Sequence, residues 1–173
     1  MSDFKTTIES SEVFSDVKLI RPDAFHDYRG EMWTFWEKGV IPDDHEWKIS
    51  KFTRSRKNVL RGLHGDKQTW KHISCVWGEI YLVVADMRPD SLTYGEWDSF
   101  TISDRNHLSV LVPAGYLNGH YCLSNECVFH YSQSYPNDYV DWQDQDAAKW
   151  LSLIHISEPT RLLSIAYAVV CVK

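Results

Sequence analysis

The sequence predicts a single all-β domain, a jelly roll built from two packed layers of strands. Three observations carry that expectation. Short segments rich in β-branched and aromatic residues dominate the chain. Polar turns separate them at about the spacing of a sandwich or barrel, and no long apolar repeat of helical period precedes residue 145.

The strand candidates follow in order. "EMWTFWE" (31–37) is aromatic-rich and is set off by the turn "DYRGE". "WKISKFTRS" (47–55) alternates large and polar side chains. "NVLRGLHGDKQTWK" (58–71) reads as strand and turn. "HISCVWGEIYLVVADMR" (72–88) is the most apolar run, and "RPDSLTYGE" is the turn after it. "EWDSFTI" (96–102), "LSVLVPAGY" (108–116) and "CVFHYSQSY" (127–135) complete the set before "PNDY". No repeat, low-complexity tract or linker divides the chain, so residues 1–150 are expected to form one domain.

Residues 151–173, "LSLIHISEPTRLLSIAYAVVCVK", break this style. Their opening matches one reading frame of a common transposon-type sequencing adapter. They are expected to be non-native read-through, with the jelly roll truncated at its C-terminal end.

Composition narrows the function. Hydrophobic residues at 43% and charged residues at 24% are ordinary globular usage. A net charge of −6 argues against general nucleic-acid binding, yet it allows a local basic pocket for a phosphorylated small molecule. The polar, acidic N-terminus is unlike a signal peptide, and no run approaches the roughly 20 apolar residues of a membrane span. Cys75, Cys122, Cys127 and Cys171 lack CxxC or metal-site spacing, so reduced thiols in a cytoplasmic protein are expected.

Histidine is the side chain best suited to take and return a proton near neutral pH, which draws attention to His64. Lys71 and Tyr131 supply a cation and a phenol from other parts of the strand-rich chain. Taken singly, each is as readily a structural residue.

Together they resemble a known pattern. "RPDAFHDYRGEMW", "NVLRGLHGD", "KHISCVWGEIYLVVADMRPDSLTYGEW" and "VPAGYLNGHYCLSNECVFHYSQSY" are similar to successive motifs of the dTDP-4-dehydrorhamnose 3,5-epimerase family. The resemblance implies a cupin-type jelly roll, a homodimer, no metal and no cofactor. The implied substrate is a nucleotide-linked 4-keto-6-deoxy sugar, inverted at carbons 3 and 5 during surface-polysaccharide synthesis. It also implies the roles: His64 as base, Lys71 beside the enolate oxygen, and Tyr131 returning a proton from the opposite face. Arg61 and Arg29 would hold the nucleotide-sugar, a guanidinium fork being matched to diphosphate oxygens.

The chain departs from the family pattern in places. Asn118 replaces a histidine, His120 appears two residues later, Gly65-Asp66 follows the candidate base, and Lys51 ends an altered upstream segment. Asp66, Lys51, Asn118 and His120 are therefore expected to bind substrate. This combination resembles a branch acting on GDP-linked 4-keto heptoses in capsule synthesis. A 3,4-ketoisomerase and a non-catalytic sugar-binding jelly roll remain alternatives, as does a metal-dependent cupin, although "HGD" is not the H-x-H pair such a site uses. The family's late aspartate partner for the histidine has no counterpart in 151–173, so reduced or absent turnover is expected of this chain.

Overall fold

The computed structural model describes residues 5–37 and 46–138, so the segment 151–173 lies outside the described residues. All regular structure among them is strand. The chain runs through β1 (Thr6–Ser10), β2 (Lys18–Pro22), β3 (Ala24–Asp27), β4 (Gly30–Trp33), β5 (Trp47–Arg56) and β6 (Leu60–His64). It continues through β7 (Trp70–Trp77), β8 (Glu79–Asp86), β9 (Trp97–Ser103), β10 (Ser109–Val112), β11 (Tyr116–Cys122) and β12 (Glu126–Ser134).

Two antiparallel sheets make the body. The larger has the order β1-β2-β10-β7-β12-β5, the smaller β6-β11-β8-β9, and β3 and β4 form a separate hairpin. Strand alternation points every second side chain into the space between the sheets. Ile73, Cys75, Val110, Val112, Cys127 and Phe129 come from one sheet. They meet Ile80, Leu82, Val84, Phe100, Ile102, Tyr116 and Cys122 from the other in one apolar core. β8 is buried on its second face too, where Val83 and Ala85 pack with Leu63 and Leu117. That double burial explains why its sequence reads as a continuous apolar run.

The run 72–88 is two strands in two different sheets, not one. Gly78 makes the break: its φ of +76° is a left-handed conformation, and a Cβ there would run into the Glu126 carbonyl. The Asp86-x-Arg88 segment anchors the far end of β8. Arg88 donates to the fully buried Asp86 carboxylate at 2.7 Å, to Asp16 at 2.8 Å and to the Tyr116 hydroxyl at 2.6 Å. Ser91 and Thr93 donate to the same Asp86 oxygen.

Candidate active site

His64 and Arg61 lie three residues apart on β6, a spacing that points side chains to opposite faces of a regular strand. A bulge removes the conflict. Asn118 stands opposite His64 and His120 opposite Arg61, with one residue between them on β11 but two on β6. The extra residue turns both side chains toward the facing sheet. Gly119 lies against the bulge, where a Cβ would sit 2.9 Å from the Arg61 carbonyl oxygen. The motifs "RGLH" and "NGH" are thus two halves of one local structure.

Lys71 reaches into this space from β7. It is 5% exposed, and its Nζ donates to Asn118 Oδ1 at 2.8 Å and to the His64 carbonyl at 3.2 Å. Burial brings the Lys71 ammonium down to about 8, against an opposing pull from Asp66. Burial, reinforced by the Lys71 charge, takes His64 to about 4 and so keeps its imidazole neutral at pH 7. His64 Nδ1 lies 3.1 Å from the Gly62 carbonyl, which can only accept. Nδ1 therefore carries the hydrogen, and Nε2 is left with a free lone pair.

Tyr131 stands on β12, opposite Ile73 of β7 and Lys51 of β5. It packs on the core beside Phe129. Burial raises its phenol above the ordinary value, partly offset by Arg61, so it is protonated at neutral pH. Arg61 donates through Nε to Ser55 Oγ at 3.0 Å, which ties the guanidinium to the larger sheet. Its charge acts on His64, His120 and Tyr131 alike. A neutral imidazole from one sheet and a protonated phenol from the other thus face a shared interior, and the Arg61 charge acts on both.

The other expected residues fare differently. Asn118, 1% exposed, holds Lys71, which makes it a positioning group. Asp66 closes a turn: its Oδ1 accepts from the backbone of Gln68 and Thr69, so that oxygen is occupied by the protein's own main chain. Lys51 is exposed on the edge strand, on the same face as Tyr131. His120 is buried and stacked on Phe129. Arg29 is not brought to this group; it sits exposed at the β3–β4 turn, where its guanidinium is held by Asp27. Among the described residues, no three His, Cys, Asp or Glu side chains converge as metal ligands would. Sequence reasoning missed Gly119 and Ser55. The odd spacing of Arg61 and His64 was the available signal for the first.

Comparison with known proteins defines the class first. A dTDP-6-deoxy-D-glucose-3,5-epimerase from Legionella pneumophila, solved with dTDP-4-keto-L-rhamnose, superposes with a TM-score of 0.72 at 26% identity. The match covers 83% of this chain and 91% of that one. A dTDP-4-dehydrorhamnose 3,5-epimerase from Bacillus anthracis, solved with TDP and PPi, gives 0.72 at 28%, covering 79% and 81%. The fold is that of the cupin-type epimerases, and the chain is an isomerase of that kind. The family description "dTDP-4-dehydrorhamnose 3,5-epimerase" matches residues 12–163. The relative of that name in Methanothermobacter thermautotrophicus is 30% identical over 138 residues, 74% of this chain and 75% of its own length. The chain belongs to the dTDP-4-dehydrorhamnose 3,5-epimerase family.

Proposed function

We propose that this protein epimerises a dTDP-linked 4-keto-6-deoxyhexose at carbons 3 and 5, with His64, Lys71 and Tyr131 as the reacting set. A ketone at carbon 4 acidifies the hydrogens on both neighbours, since loss of either leaves a delocalised enolate. His64 Nε2 takes the proton. The Lys71 ammonium stabilises the charge that develops on the ketone oxygen. The Tyr131 hydroxyl gives a proton to the opposite face, and the carbon inverts. Arg61 is the candidate for the diphosphate, with Lys51 at the rim.

The observation that carries this reading is the protonation pattern: a neutral imidazole and a protonated phenol on opposed sheets, with a buried ammonium at the imidazole's own strand. A second copy of the chain is part of the proposal. Tyr28 and Met32 of the β3–β4 hairpin, with Trp36 and Phe52, are large apolar side chains exposed for it to cover. Sedimentation at micromolar concentration should give twice the chain mass. No helix among the described residues is long and apolar enough to cross a membrane.

The test is incubation with a dTDP-4-keto-6-deoxyhexose in deuterated water, followed by NMR over hours so that slow turnover is still seen. Deuterium should enter carbons 3 and 5 with inversion, and H64A should abolish its entry. Label entering at the same rate in H64A overturns the assignment, as does its absence once a relative's C-terminal segment replaces residues 151–173.

A further inference from the structure

His120 is 2% exposed, and neither of its ring nitrogens has a hydrogen-bond partner among the described residues. A neutral imidazole carries one donor and one acceptor whichever tautomer it adopts, so both are unmet. His107 leaves only Nδ1 unmet, its Nε2 lying 3.2 Å from Glu31, and the other two buried histidines have partners. His72 Nε2 lies 2.8 Å from Ser109 Oγ, and His130 is held by Ser50 at 2.7 Å and Ser74 at 3.3 Å.

The ring has little freedom to find a partner. Its face lies on Phe129, with centroids 4.1 Å apart and planes 12° from parallel. Its strand is paired on both sides, to Arg61 of β6 and Leu82 of β8. A phenylalanine here would give the same stack and the same burial with nothing left unmet. Packing alone therefore does not account for an imidazole. Strand alternation puts His120 on the same interior face as Asn118, near His64 and within reach of the Arg61 charge. The unmet nitrogens thus belong to the space assigned above to the sugar.

We infer that His120 hydrogen-bonds a hydroxyl of the bound sugar, so that the pocket selects nucleotide sugars presenting a hydroxyl at that point. The inference rests on the nucleotide-sugar reading of this pocket. It adds a specificity-determining residue outside the reacting set. A site built to pair with a hydroxyl discriminates strongly against sugars that lack it, because the buried ring is then left unmatched.

The test compares wild type with H120F by calorimetry against two probes, a dTDP-linked 6-deoxyhexose without the ketone and dTDP alone. H120F should bind the sugar nucleotide roughly 10- to 100-fold more weakly and dTDP unchanged. A purely structural histidine would move both affinities or neither, and either result overturns the inference. Should H120F fail to fold, nitrogen NMR of histidine-labelled wild type replaces it. Saturation with the dTDP-6-deoxyhexose should shift the His120 ring nitrogens and saturation with dTDP should not; an absent sugar-specific shift overturns the inference. Failure of the epimerase reading registers separately, as absent deuterium entry from the 4-keto sugar despite sugar-specific binding at His120.

Discussion

Substituting Gly119 with alanine tests the construction on which the site depends. The added methyl would lie 2.9 Å from the Arg61 carbonyl oxygen, 3.0 Å from the Leu63 nitrogen and 3.1 Å from the Gly62 carbonyl carbon. Comfortable contacts are about 3.5 Å or more, so β6 must withdraw by about half an ångström. All three atoms are backbone of the bulge, and no side chain can swing aside to relieve them. Overpacking of this kind costs about 1–3 kcal/mol. For a domain of this size that is a fall of roughly 3–10 °C in melting temperature. The displaced strand carries His64 and Arg61, and misplacement on the ångström scale costs on the order of 100-fold in rate. Thermal melts and the deuterium-entry assay read the two effects. G119A with unchanged melting temperature and unchanged exchange would refute the claim that these strands meet so closely and that the bulge aims His64.

Three further outcomes follow from the same geometry. His64 is a base only when neutral and Lys71 a cation only when protonated, so exchange should fall as pH drops through about 4 and as it rises through about 8; a rate that stays level from pH 7 to pH 9.5 would remove Lys71 from the mechanism. Y131F leaves only His64 to reprotonate the enolate, so deuterium should still enter the sugar, with retention, once the imidazolium has exchanged its proton with solvent, while inversion falls by about 100-fold or more, measured by proton NMR of the product. His120 is neutral when folded, burial holding it near 3, and it takes a proton near 6.5 when unfolded. The unfolded chain therefore binds the extra proton as pH falls from 6.5 toward 3, and wild type loses stability across that window. H120F has nothing to titrate there, so urea melts should show it gaining on wild type by up to about 1.4 kcal/mol for each pH unit below 6.5.

The parts of the fold legible in sequence were those whose pattern matches strand physics. Segments such as 47–55, 96–102 and 127–135 fall on β5, β9 and β12 because alternation and β-branched content reflect burial of one face. β1 and β2, "TTIES" and "KLIRP", were not read as strands: they are short and polar, and β2 is held by its ladder to β10, nearly ninety residues away. The same limit applied inside the site. The motif resemblance singles out His64, Lys71 and Tyr131, but it says nothing of the hydrogen bond between Asn118 and Lys71. That bond spans 47 residues and depends on two sheets facing each other. Arg29 shows the converse. Its motif reads as part of the pocket, while the fold places it on a separate hairpin with Asp27, a partner two residues away.

A base brought down to about 4 is a weak one, and the structure shows why that is compatible with the proposed chemistry. Burial is the larger cause of the depression and Lys71 the next, so in the proposed chemistry the cation that weakens the base is also the one that stabilises the enolate. Lowering the energy of the enolate acidifies the sugar carbon, which compensates a weak base as effectively as a stronger base would. K71M separates the two effects. Loss of the charge should let the pKa of His64 rise, moving the acid limb of the pH profile upward. The enolate would lose its counter-charge, a term of about 3–4 kcal/mol for a single preorganised donor. Burial still depresses His64 in the variant, so the gain in base strength is the smaller effect. The expected result is a rate reduced 100- to 1,000-fold at pH 7, together with an acid limb displaced above 4. An acid limb that shifts with no loss of rate would mean that Lys71 tunes the imidazole alone, and that the charge on the ketone oxygen is met elsewhere.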